Sequence, residues 1–408
     1  MNNVDMDLRL QKDPLADETI RLIIEEEGID RVNQILVELI SSKEIPEIKN
    51  ISLQNYFMES QKFIHDLDDD LIKQGQDFFE KHGPGLSAML LCKSLPATYA
   101  CANGAEVVYR TGQFMASKNQ GLAPFTKRLM ETAQFVINVM SEGGLNKSSK
   151  GIISAQKVRL MHAAIRYYLQ KNHKKGHNHH VWDTEKLGEP INQEDMLGTL
   201  LSFSVFPIQG LEKLGVTVSD EEKKAYLYTW TVVGKVLGVH PDIIPATFEE
   251  GEILGKKILD EQKAPSEAGH KLTEACVEFL KAVIPGEEFD GFPEAFMRFL
   301  LGDDLADVVG LDKHSSAKST LVIKAVCKVF QIADHQKDES KLICAISERF
   351  NMLILQGVLN YFYKGQSVEF TIPPSLRKKW KIDNQPTWKE IISSPSLFNF
   401  RLSLQKHN

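Results

Sequence analysis

The stretch SAQKVRLMHAAIRYYLQ, residues 154–170, decides how the rest of the chain is read. Val158, Met161, His162, Ile165 and Leu169 recur at helical spacing and share a face, which predicts a helix over about 154–171. That face spends one apolar position on an imidazole. Arg159 and Arg166, three residues before and four after, border the same face. Two readings fit. A buried neutral imidazole has its lone pair available to a metal or a haem iron, and the arginines would hold cofactor carboxylates. Alternatively, His162 is a core histidine bonded to a backbone carbonyl and the arginines pair with Asp or Glu.

Working outward, the same periodicity recurs nearly everywhere. Ser219–Glu222, Thr247–Glu250 and Thr387–Glu390 have the capping-box form, in which hydroxyl and carboxylate satisfy orphan amides reciprocally. Long amphipathic runs occupy 223–239, 270–284, 320–333 and 341–363, and only QSVEFTI, ending before Pro373, alternates like a strand. The expected fold is all-α. The loops at 141–151, 172–190, 285–293 and 310–319 are too short to be linkers between independent domains. No repeat is visible. The expected organisation is one large helical domain, with a peripheral N-terminal arm (1–50), a core (51–320) and a C-terminal cap (321–408).

Composition narrows the function. The chain has 408 residues, 42% of them apolar and 25% charged, which suits a globular protein with a sizeable core. A formal net charge of -7 argues against nucleic acid, which selects a basic footprint. The five scattered cysteines include no CxxC pair and suit a reducing compartment. The polar, acidic N-terminus lacks the pattern of a secretion signal, and no apolar run reaches the length of a membrane span. The cytoplasm is the expected location.

Upstream, FTKRLMETAQFV (125–136) places Arg128 and Thr132 four apart on one helix face. A fixed cation beside a hydroxyl suits polarising dioxygen or orienting a substrate oxygen; an ordinary i, i+4 pair is the plainer reading. LPATYACANGAEVVYRTG (95–112) is rich in small residues, which permits close approach to a flat cofactor or tight helix packing. HKKGHNHH (173–180) invites a metal reading, but it lies in a polar loop without a neighbouring Cys and reads as solvated. GxGxxG, P-loop, GxSxG, HExxH and CxxCH motifs are absent from the sequence, so any haem would be haem b, held non-covalently.

RLMHAAIR (159–166), GEPINQEDMLGTLLSFS (188–204) and EEKKAYLYTWTVVGKVLGV (221–239) occur in this order, preceded by LPATYACANGAEVVYRTGQF (95–114). Together, over roughly 75–260, they resemble the rubber-oxygenase catalytic domain, the family of latex clearing proteins and the oxygenase of mycophenolic acid biosynthesis. The resemblance implies a helical, globin-like core around haem b, with His162 as the proximal iron ligand and Arg128 and Thr132 on the distal side. It favours the ligand reading of His162, with Arg159 and Arg166 as candidate propionate partners.

Two departures bear on the chemistry. Where latex-cleaving members carry a lysine just before the threonine, this chain has Glu131, and where they carry a distal glutamate, Gly112 falls. Glu106 is the nearest upstream carboxylate. Cofactor and fold therefore carry over further than substrate, and rubber is not the expected substrate. The expected function is a haem b-dependent oxygenase that uses dioxygen on an apolar, unsaturated small molecule. The alternatives are a non-catalytic haem sensor or carrier of the same fold, and a helical scaffold whose haem site has decayed.

Overall fold

In the computed structural model several helices start where capping residues stand. The structure describes residues 7–32, 34–35, 50–112, 122–171, 182–283 and 291–311, with isolated positions at 323, 372–373, 375–376 and 380. In chain order the helices are α1 (Pro14–Glu27), α2 (Ile51–Glu59), α3 (Asp69–Met89), α4 (Leu95–Ala100), α5 (Ala102–Arg110), α6 (Ala123–Met140) and α7 (Lys150–Lys171). They continue as α8 (Thr184–Leu187), α9 (Gln193–Lys213), α10 (Asp220–Leu237), α11 (Phe248–Gln262), α12 (Glu267–Val283), α13 (Phe292–Leu301) and α14 (Asp303–Val308). No strand occurs among the described residues, and the fold is all-α. No helix among them is long and apolar enough to cross a membrane.

The chain divides into two compact units, Met1–Thr371 and Ile372–Asn408, and every helix named above lies in the first. In the second, Leu376 and Trp380 are buried. The boundary expected at 320/321, the runs at 320–333 and 341–363, the cap at Thr387 and nearly all of the strand-like segment fall outside the described residues.

The capping reading holds at two sites. Ser219 accepts from the Glu222 amide while the Glu222 carboxylate accepts from the Ser219 amide, a complete box at the start of α10. At α11, Thr247 accepts from the Glu250 amide, but the Glu250 carboxylate reaches one residue further, to the Ala246 amide. α10 ends at Gly238 (φ 90°), a left-handed position that glycine adopts without penalty. The small-residue stretch at 95–112 is two helices rather than one. α3 leads through a π-helical turn, Leu90–Ser94, into α4, and the path breaks at Cys101 before α5.

The core is organised around α3 and α10. Gly75 of α3 lies so close to α10 that a Cβ there would stand 2.6 Å from the Ala225 carbonyl oxygen. Trp230 of α10 is fully buried, stacks on Phe203 of α9 (5.0 Å between ring centroids) and meets Phe135 of α6 (6.5 Å). α3, α6, α9 and α10 thus share one apolar centre.

The segment expected as a peripheral arm is part of this interior. Asp13 caps α1 and Pro14 takes its first position, where a missing N–H costs nothing. Ala16, Ile20 and Ile23 of α1 then pack with Tyr56 of α2 and with Leu160, Ala163 and Ala164 of α7. Ile20, Ile23 and Leu160 each contribute about 1.5–3 kcal/mol when fully buried. Ahead of α1, Arg9 bridges Glu194 and Asp195 (3.1 Å each) and donates to the Leu187 carbonyl at 2.6 Å. The amides of Glu189 and Gln193 donate to the carbonyls of Arg9 (2.7 Å) and Gln11 (3.0 Å). The start of the described chain is therefore laced to the start of α9.

Candidate functional site

α7 runs from Lys150 to Lys171, four residues earlier than the sequence pattern indicates, with α1, α6 and α10 against it. Its most tightly buried positions include Gln156, Arg159, Leu160, Ala163 and Arg166. Val158, Met161, His162, Ile165 and Leu169, the face expected to form the core, are only half-buried. Ile165 and Leu169 lean on Val107 of α5, Trp182 and Leu187. The side chains on the tightly buried face explain this inversion: two arginines are stabilised there by ion pairs that the helical period does not reveal.

α6 and α7 form an antiparallel hairpin. The Asn138 amide donates to the Ser154 hydroxyl at 2.9 Å, which fixes the register. Counting back along α6 and forward along α7 from that pair sets His162 opposite residue 130, between Arg128 and Thr132. The turn joining the helices is close-packed: a Cβ on Gly151 would stand 2.7 Å from the Asn138 carbonyl oxygen and would overlap that of Gly144. The charge of Arg128 thus reaches His162, and Thr132 lies one turn beyond Arg128 on the same helix.

His162 is enclosed by protein yet keeps some accessible surface, so space remains beside it. Its Nδ1 is sealed and has no hydrogen-bond partner. Burial, then the charges of Arg166 and Arg128, push its pKa down to about 3, so the ring is neutral at any ordinary pH. Around it, Arg128 pairs with Glu131 while its Nε is sealed without a partner. The Thr132 hydroxyl donates to the Arg128 carbonyl at 2.9 Å, which leaves its oxygen free to accept. Glu106, the upstream carboxylate, is held by Arg110 at 2.7 Å, and Gly112 takes φ 66°, a conformation suited to glycine.

The two arginines flanking His162 have partners far upstream. Asp13 takes Arg159 in a two-pronged pair (2.6 and 2.7 Å), and Arg159 Nη1 donates to the Val236 carbonyl at 3.2 Å. Every Arg159 nitrogen is thereby engaged by a protein group. Asp17 accepts from Arg166 Nε at 2.7 Å, and Arg166 Nη1 donates to the Ile191 carbonyl at 3.1 Å. Arg166 Nη2 is sealed without a partner. Ile191 adopts φ 51°, a strained conformation for a β-branched residue, and this orients its carbonyl to Arg166. Asp13, Asp17 and the Ile191 carbonyl are site components that the sequence pattern did not mark. Asp13 is legible as an N-cap before Pro14, but nothing local announces its distant arginine. The histidines at 173–180 lie outside the described residues, and among the described ones no cluster of three or more His, Cys, Asp or Glu could hold a metal ion.

The sequence matches the family described as "ER-bound oxygenase mpaB/B'/Rubber oxygenase, catalytic domain" over residues 85–332. The chain belongs to this family. Among rubber-oxygenase relatives, the rubber oxygenase of Streptomyces sp. (strain K30) is 28% identical over 200 residues, 48% of this chain and 47% of that protein. The match therefore spans about half the length of that relative. A solved structure of latex clearing protein in the closed state superposes with a TM-score of 0.69 at 22% identity, covering 90% of this chain and 95% of that one. That likeness establishes a shared fold. The matched span of the oxygenase family contains the whole α6–α7 hairpin with Arg128, Thr132 and His162.

Proposed function

We propose that the protein is a haem b-dependent oxygenase that uses dioxygen to oxidise an apolar, unsaturated small molecule. One observation carries the reading. A neutral imidazole, His162, stands opposite a cation and a hydroxyl, Arg128 and Thr132, in the hairpin common to an oxygenase family. The residues fit the group: a neutral imidazole is a good ligand for haem iron, and two buried guanidinium nitrogens without partners, Arg128 Nε and Arg166 Nη2, belong to the same neighbourhood. When bound, haem supplies a redox-active iron that binds and activates dioxygen.

The protein's own residues do the rest. His162 offers a lone pair through Nε2 and never competes for a proton above about pH 3. Arg128 supplies a fixed positive charge in a protein-lined space, where charge acts more strongly than in water. Glu131 anchors that guanidinium and fixes where its charge sits. Thr132 presents acceptor lone pairs at the same level of α6. Arg166 keeps one nitrogen for a propionate, whereas Arg159 holds Asp13 instead. Cys92, Cys101 and Cys276 are unpaired thiols, which supports a reducing compartment such as the cytoplasm.

Purified protein is expected to show a Soret band that shifts with dithionite and is lost or strongly weakened in His162→Ala. A colourless protein that refuses added haem overturns the reading. The Arg128–Glu131 pair and the engagement of Glu106 by Arg110 favour one second reading, a haem-binding sensor or carrier without turnover. Oxygen uptake with candidate alkenes separates the two: stable oxygen binding without product identifies the carrier.

A further inference from the structure

Arg166 is buried beside His162 and carries a charge that the protein has compensated from an unexpected direction. Its carboxylate partner is Asp17, 149 residues upstream in the first turn of α1. Its second partner, the Ile191 carbonyl, is offered by a backbone strained at φ 51°. Strain of this kind persists only where surrounding structure enforces it. The guanidinium is thus clamped from two sides, with one nitrogen left sealed and unpartnered. Arg159 has an equally well-made carboxylate pair and all its nitrogens are engaged, whereas Arg166, one helical turn beyond His162, keeps Nη2 unpartnered. Two buried arginine–aspartate pairs from the same helix start therefore differ in how completely the guanidinium is satisfied.

We propose that Asp17 is a positioning residue that, by clamping and neutralising Arg166, sets the electrostatic environment of His162 and of a group bound to it. The pair Asp13–Arg159 is the matched structural control. The proposal rests on His162 as the axial ligand for its haem arm and on the ion-pair geometry alone for its second arm. A carboxylate removed from Arg166 leaves a bare cation near the imidazole, and a positive charge stabilises the reduced, less positive state of a bound iron.

The test uses the full-length protein with Asp17→Asn, Asp17→Glu and Asp13→Asn, each read in two ways. In haem-loaded protein, spectroelectrochemistry is expected to show an upward shift of the midpoint potential in Asp17→Asn, reversed in Asp17→Glu. Asp13→Asn is expected to lower the urea midpoint at least as much while leaving the potential in place. In cofactor-free protein with labelled histidine, the His162 ring-nitrogen resonances, assigned with His162→Gln, are expected to move in Asp17→Asn and to stay in Asp13→Asn. Equal shifts in the two Asn variants, or none in either, overturn the proposal. Should the wild type take up no haem, the functional reading fails, and the ring-nitrogen arm alone still decides the role of Asp17.

Discussion

At the scale of single residues, the informative groups are buried charges whose cost is set by a distant partner. Asp195 shows the sign of such a cost. Burial raises its pKa to about 6 despite the opposing charge of Arg9. A carboxyl raised above its unfolded value of 3.8 favours the folded state fully below that value, and the contribution is lost as pH rises through about 6. The loss runs at about 1.4 kcal/mol per pH unit across that window. Asp195→Asn removes the titration, so its stability relative to wild type is expected to improve steadily between pH 4 and pH 7. Urea midpoints of both proteins at each pH check this, and a difference independent of pH would show that Asp195 stays ionised. At the same scale, His162, Arg128 and Thr132 were singled out by spacing within their own helices together with the family resemblance. Asp13 and Asp17 were not, since an ion pair across 146 or 149 residues leaves no periodic trace.

Among elements, the α6–α7 hairpin matters most, because its register alone sets His162 against Arg128 and Thr132. Gly144 and Gly151 let the turn close on the end of α6. Gly151→Ala forces a methyl group into the Asn138 and Gly144 carbonyls, and overpacking of that kind costs about 1–3 kcal/mol. The variant is expected to unfold at lower temperature and to release bound haem faster than wild type, as followed by differential scanning calorimetry and transfer of haem to an apo-globin acceptor. An unchanged release rate would separate the turn from the site. Helix existence and the caps at Ser219 and Thr247 followed from local chemistry, which acts within four residues. The break at Cys101 did not, because it depends on packing against Lys263 and Ala264, far along the chain.

For the molecule as a whole, the N-terminal segment is the clearest difference between sequence pattern and structure. Polar, acidic residues suggested an arm at the periphery, yet its carboxylates are the counter-charges of the interior. Removing residues 1–27 leaves Arg159 and Arg166 buried without carboxylates, and breaking a buried pair costs about 3–5 kcal/mol. Two such losses rival the entire stability of an ordinary domain, about 5–15 kcal/mol. The truncated chain is expected to show no cooperative thermal transition by near-ultraviolet circular dichroism. A melt within a few degrees of the full-length protein would return the segment to the periphery.

The clamp between Asp13 and Arg159 also has a consequence in time. During synthesis at about 5–20 residues per second, Asp13 is made roughly seven to thirty seconds before its partner. Through that interval the first helix has only α2 to pack against, so part of its apolar stripe, Ala16, Ile20 and Ile23, waits uncovered. A helix made early is thus completed late, and a cell producing the protein is expected to need a chaperone that shields this segment during synthesis.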